Sequence, residues 1–341
     1  MILAALPEPS AFGDILMAFL SILFEGAPYI MIGTLISGLI DAFLPARLLE
    51  RVLPKNKVLS TLLAGFLGLV FPVCECAVVP VIRRLVKKGL PLSCALTYML
   101  SAPIINPIVA ISTLTAFKEF EKVEGWATLG NASMTISRLA LGYIVAVIVG
   151  LVVLRFNPRR LLKASVANSI EQSNTEAGHS HAPKASFNAR LVHAFRTAMG
   201  DFLDTGMYFT IGVIITSVFN TQVDQSILDN VAGKEWLAIP SIMGLSFVLS
   251  LCSTSDAFIA APMASFSMAA KLAFLVFGPM MDIKLMFMYA AVFKRRMVLA
   301  MLLGTFVLIG LLSEPVMLFV SDPKGFFDLC WNYVTGLVAS K

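Results

Sequence analysis

Apolar residues run along this chain in long unbroken blocks, separated by short polar segments. Six blocks, 15–44, 90–117, 128–154, 197–219, 272–293 and 297–320, each exceed the ~20 residues a helix needs to cross a bilayer core. Two further stretches, 58–82 and 236–263, are equally apolar but are interrupted by prolines and polar residues. The pattern predicts an all-α polytopic integral membrane protein. Glu8 and Asp14 stand where a cleavable signal would carry basic residues, so the first helix is expected to be retained.

Composition agrees: 58% of the 341 residues are hydrophobic and 14% are charged. The net charge of +5 is carried by loops between apolar blocks, which argues against nucleic acid as a partner. Five cysteines, three of them inside apolar runs, do not form a disulfide framework and are expected as thiols. Cys94 is expected to pack as a small residue.

Within this apolar setting the tripeptide Cys74-Glu75-Cys76 is out of place. A carboxylate at the centre of a membrane helix costs roughly 2.5 to 3.5 kcal/mol on insertion scales, so an acid retained there points to a working site. The competing reading puts Glu75 at a water-exposed helix end.

Residues 21–76 lie over 200–255 without a gap. Glu25, Tyr29 and Gly33 then meet Asp204, Tyr208 and Gly212, and Cys74-Glu75-Cys76 meets Ser253-Thr254-Ser255. A shift of one residue would pair Cys74 with Cys252, and the pattern leaves both registers open. After a three-residue shortening, Ala102-Pro103-Ile104-Ile105-Asn106 lies over Gly278-Pro279-Met280-Met281-Asp282.

Charge orients the halves. Arg47, Arg51, Lys55 and Lys57, and again Arg83, Arg84, Lys87 and Lys88, flank 58–82, and basic connections are cytoplasmic. A single crossing would leave one cluster outside, whereas a hairpin turning at 72–76 keeps both inside. In the second half the corresponding connections, 220–229 and 264–267, are acidic or neutral, and the basic cluster moves to Lys294-Arg295-Arg296. The reversal predicts two pseudo-symmetric halves as inverted repeats, each with three spans plus a broken or re-entrant hairpin. Prolines 72, 80, 103, 107, 262 and 279 mark the breaks. Eight full spans in a parallel repeat is the alternative. The predicted units are a first transmembrane half (1–156), a flexible cytoplasmic linker (157–194), a second half (195–320) and an interfacial tail (321–341). His179 and His181 in the linker are read either as a soft-cation contact or as polar filler.

The runs Phe71-Pro72-Val73-Cys74-Glu75-Cys76, Val79-Pro80-Val81-Ile82-Arg83-Arg84-Leu85-Val86-Lys87-Lys88-Gly89 and Pro103-Ile104-Ile105-Asn106-Pro107 resemble the bacterial predicted-permease family that includes the organoarsenical efflux permeases. Leu251-Cys252-Ser253-Thr254-Ser255-Asp256-Ala257 resembles that family's second-half motif. The resemblance implies a multi-pass transporter of the bacterial plasma (inner) membrane, not an enzyme, without cofactor. No Walker-type phosphate loop is present in the sequence. Members are linked to arsenicals or to copper and zinc, and Cys-Glu-Cys departs from the Cys-Ser-Cys of the metal-linked group, so the substrate does not carry over.

Paired thiols favour soft ions such as Cu(I), Zn(II) or trivalent arsenic. Cys74, Cys76, Glu75, Cys252 and Asp256 are the expected metal ligands. Residues two apart in a helix point about 200° apart, so both thiols meet one ion only where the backbone bends. Ser253, Thr254, Ser255, Asn106 and Asp282 are expected along the same path, unless they serve as polar glue between helices. Glu25 and Asp204 are the candidates for proton coupling. Expected partners are the lipid bilayer, a small ion or metalloid, and either a partner membrane subunit or a second copy of the chain. Two other functions remain: a transmembrane thiol-disulfide carrier using Cys74 or Cys76 with Cys252, and a membrane scaffold that needs a partner.

Overall fold

The structure is a computed structural model that describes residues 11–43, 54, 56–70, 73–118, 132–157, 161–163, 187–220 and 235–321. The expected hairpin apex at Phe71 and Pro72, His179 and His181, most of the connection at 220–229, and the tail beyond Ser321 lie outside these residues. The described residues form thirteen helices: α1 (Ala11–Phe43), α2 (Lys57–Ala64), α3 (Leu67–Val70), α4 (Glu75–Lys87), α5 (Leu92–Ser101), α6 (Pro107–Phe117), α7 (Ser133–Val153), α8 (Phe187–Asn220), α9 (Glu235–Leu249), α10 (Asp256–Ala260), α11 (Met268–Met280), α12 (Ile283–Val292) and α13 (Arg295–Ser321). Five stretches are long and apolar enough to cross a membrane, namely Phe12–Phe43, Ser133–Val153, Phe187–Phe219, Met268–Val292 and Arg295–Ser321. With the shorter apolar helices between them, they make a polytopic membrane protein.

Two of the expected spans are broken. Block 90–117 divides into α5 and α6 because Asn106 caps α6, accepting a hydrogen bond from the Ile108 N–H at 3.0 Å, and Pro107 takes the first helical position. Block 272–293 divides at Met281, where Asp282 caps α12 by accepting from the Leu285 N–H at 2.6 Å. The two breaks fall where the internal repeat superposes Asn106 on Asp282.

Segment 57–87 enters and leaves at one end of the molecule. Thr61, in the first turns of α2, lies 3.2 Å from Ser93 at the start of α5, which follows closely on the end of α4. In the second half, Ser246 near the end of α9 donates to the Phe274 carbonyl of α11 at 3.0 Å, so α9 and α11 converge at their C-terminal ends. Close backbone approaches repeat this correspondence. A Cβ on Gly68 would lie 2.9 Å from Ala102 Cα, and one on Gly278 would fall on the Ser246 hydroxyl.

The helices α1 and α8 pack antiparallel, since Gly26 meets Phe209 whereas Ser37 meets Asp201 at 2.9 Å. Small residues permit such approach in a membrane, where packing contacts replace a hydrophobic driving force. The centre of the bundle is α5, α11 and α12: Leu96, Leu100, Phe274, Leu275, Leu285 and Tyr289 are fully buried. The periphery is apolar, as lipid contact requires. Leu299, Leu303, Val307 and Leu311 of α13 form an exposed stripe with a spacing of four.

Helix α8 begins at Phe187, and residues 161–163 run beside the end of α12, with Leu162 bridging Phe293 and the Lys294 N–H donating to the Leu161 carbonyl at 2.9 Å. Leu162 is buried, which explains why it docks. Arg83 and Lys163 thus meet at one end, where they line a cavity of ≈ 210 Å³ with Asp201, Asp204 and Val292.

Candidate functional site

The polar centre lies where irregular backbone from both halves meets. Cys74 caps α4 in an extended conformation, and Glu75 opens the helix, where the positive end of the dipole favours an acid. Glu75 is buried, accepts a hydrogen bond from the Ser253 hydroxyl at 3.1 Å, and has its other oxygen 3.7 Å from Lys284 Nζ. Lys284 also lies 3.5 Å from Asp282 and donates to the Ser250 carbonyl at 2.8 Å. Ser250 ends α9 with φ 49, a left-handed conformation uncommon for a residue other than glycine. That turn is where the Ser250 carbonyl meets the lysine.

A second ion pair lies beside the first. Arg138 Nη2 donates to Asp256 at 2.7 Å and to the Ser253 carbonyl at 3.0 Å, and Nη1 donates to the Thr113 hydroxyl at 2.7 Å. Arg138, Asp256, Glu75, Asp282 and Lys284 are all buried. Buried charges persist only when paired and hydrogen-bonded, and this set ties α4, α7, α10 and α12 together.

Next to Glu75 is a cavity of ≈ 20 Å³, room for about one water. Glu25, Tyr29, Cys74, Glu75, Cys76, Cys252 and Lys284 are among the residues lining it. Cys252 Sγ lies 3.4 Å from the Thr254 hydroxyl, and the Ser255 hydroxyl donates to the Cys252 carbonyl at 3.2 Å. The structure thus brings together Cys74, Glu75, Cys76, Cys252 and Ser253, with Asp282 and Asp256 reached through Lys284 and Arg138. Two expected residues lie elsewhere. Asn106 borders an apolar cavity with Phe66, Leu69 and Tyr143, and exposed Asp204 pairs with half-buried Arg83 at 3.4 Å on the ≈ 210 Å³ cavity.

The five expected metal ligands do not make a preformed cage. Among the described residues no group of three or more His, Cys, Asp or Glu side chains is arranged to hold a metal ion. The reason is local: Glu75 and Asp282 face Lys284, Asp256 is held by Arg138, and Cys76 is packed in the core. The resident cations are the site residues that sequence reasoning missed. Their signal was a lone lysine and a lone arginine inside apolar blocks 272–293 and 128–154, subject to the same cost as the acids.

A second polar cluster closes the basic end. Arg84 donates two hydrogen bonds to Asp201, at 3.0 and 2.8 Å, while the Asp41 carboxylate lies 3.6 Å from Arg84 and 3.3 Å from His193. It joins α1, α4 and α8.

Broken helices, lipid-facing apolar stripes and a buried charge cluster beside a small polar cavity define a membrane transport protein. The chain belongs to the family described as "Predicted permease" (ArsP_1), which it matches over residues 11–317. It is 38% identical over 307 residues to "UPF0718 protein YcgR" of Bacillus subtilis (strain 168), covering 89% of this chain and 96% of that protein. It is 33% identical over 293 residues to the "Putative two-component membrane permease complex subunit" of Streptococcus mutans serotype c, covering 85% and 91%. No solved structure matches.

Proposed function

We propose that this chain is a bacterial plasma-membrane permease that exports a soft ion, copper, zinc or an arsenical, by secondary-active transport through the Cys74-Glu75-Cys76 site. The observation that carries the reading is the single small cavity onto which Cys74, Cys76 and Cys252 open together with Glu75 and Lys284. Thiols from both halves there provide soft donors, and a carboxylate supplies charge. Thiol ligands engage the ion as it passes, in a site that forms only when Glu75 exchanges partners.

The two halves act as inverted repeats. In support, α4 and α12 both run from the polar centre towards the cavity lined by Arg83 and Val292, while α6 and α10 pack together. The basic end is cytoplasmic under the positive-inside rule. The cavity by Arg83 and Asp204 is then the inner vestibule, and Glu25 and Asp204 carry protons on different sides of the site.

The printed name of the Streptococcus relative favours a second element: a partner membrane subunit that completes the transporter. The test is element accumulation in cells expressing wild type, Cys74→Ser/Cys76→Ser and Glu75→Gln, with expression verified. Wild type should lower copper, zinc or arsenic, and both variants should restore it. No change in any of the three contradicts the reading.

A further inference from the structure

We infer that the site takes a positively charged cargo and that Lys284 is a tethered counter-ion which the cargo displaces from Glu75. This deepens the permease reading and rests on it, because it gives the cargo of the same site its charge.

The linked cluster contains three buried carboxylates, Glu75, Asp256 and Asp282, against two buried cations, Arg138 and Lys284. One carboxylate is left without a cation of its own in a low-dielectric setting, where it holds a proton or takes a cation. The two pairs are also held differently. Arg138 is fixed to Asp256 at 2.7 Å and anchored further by Thr113 and the Ser253 carbonyl. Lys284 stands 3.7 Å from Glu75, beyond hydrogen-bond length, and 3.5 Å from Asp282. The loose pair, not the tight one, borders the cavity with the three thiols.

The lysine backbone is clamped, while its ammonium is hydrogen-bonded to the Ser250 carbonyl and not to Glu75. A Cβ on Gly212 of α8 would lie 2.7 Å from Lys284 Cα, so α12 is pressed against α8 at this residue. The flexible four-carbon stem can swing the ammonium away from Glu75 without moving the helix. The Asp282 carboxylate and the Ser250 carbonyl remain as its partners when it leaves. A cation entering beside Glu75 therefore finds a carboxylate already desolvated, and the returning lysine expels it.

The test uses the full chain with Cys252 as its sole cysteine, labelled in membranes by cationic and anionic methanethiosulfonates of similar size. The cationic reagent should react faster. Lys284→Gln should raise the cationic-to-anionic rate ratio by about tenfold or more, the order expected for removing a unit charge near 4 Å. Glu75→Gln should lower the ratio, and Lys284→Arg, which keeps the charge and reports on folding, should leave it near wild type. A faster anionic reagent in wild type, or no change in Lys284→Gln, overturns the inference. Flux in proteoliposomes then separates it from the wider reading. With Cu(I) or Zn(II), Lys284→Gln in the native-cysteine chain should lower both the half-saturating concentration and the maximal rate, because cargo binds without competition and is not expelled. Transport of neutral arsenous acid but of neither cation overturns the inference and leaves the permease reading standing. Expected reagent ratios with no flux of any of the three retain the cationic site and remove the soft-ion reading.

Discussion

Arg138 of α7 donates to Asp256 of α10 across 2.7 Å, and both side chains are buried. This pair joins the two halves of the chain beside the Glu75 cavity. Removing one partner leaves the other charge uncompensated, which in protein interiors is destabilising by about 3 to 5 kcal/mol. Arg138→Met should therefore lose much of the folded protein on heating in detergent, followed by size-exclusion chromatography. Arg138→Met/Asp256→Leu should recover part of that loss. A single variant as stable as wild type would remove the pair from the structural account.

Glu75→Gln should fold and fail to transport. The amide oxygen can still accept from the Ser253 hydroxyl, now 3.1 Å from the carboxylate, and Lys284 keeps Asp282 and the Ser250 carbonyl. Yield and melting behaviour should stay near wild type while flux falls at least about tenfold, the size expected for a lost charge contact in a desolvated site. Flux near that of wild type would remove Glu75 from the path.

Phe209 borders the Glu75 cavity, its neighbour Tyr208 borders the cavity near Arg83, and the Phe209 ring rests where a Cβ on Gly26 would fall. Phe209→Ala should speed modification of Cys74 by reagents applied at the cytoplasmic face, measured in inside-out vesicles. Gly26→Leu should slow transport by jamming the ring. Unchanged labelling in Phe209→Ala places the barrier elsewhere.

Gly33 sits where α1 crosses α4. A Cβ there would lie 2.8 Å from Ala77 Cα, a backbone atom that cannot yield without moving the helix. Gly33→Val should destabilise by about 1 to 3 kcal/mol through overpacking. The loss should appear as a lower melting temperature in detergent, with Gly206→Val, where a Cβ meets nothing within 4 Å, as the tolerant control.

Much of the architecture was legible because lipid imposes it: long apolar blocks became spans, and Asn106 and Asp282 fell at helix breaks as the repeat suggested. Continuity across 90–117 was not, since a cap and a proline outweigh hydropathy there. Arg138 and Lys284 carried a local signal, a lone charge in an apolar block. Their partners did not, because pairs such as Arg138 and Asp256, 118 residues apart, depend on packing between distant elements. Glu25 and Asp204 illustrate the same limit. The repeat matches them, but α1 and α8 run antiparallel with Gly26 opposite Phe209 and Ser37 opposite Asp201. Equivalent positions therefore lie about 10 Å apart along the axis and face different cavities.

The most direct test of the central claim is flux of copper, zinc and arsenite in proteoliposomes containing the purified chain. The account predicts that one of them moves with wild type and that movement stops in both Cys74→Ser/Cys76→Ser and Glu75→Gln, each verified as folded. Flux that persists in those two variants, or no flux of any soft ion with a well-folded wild type, would contradict it.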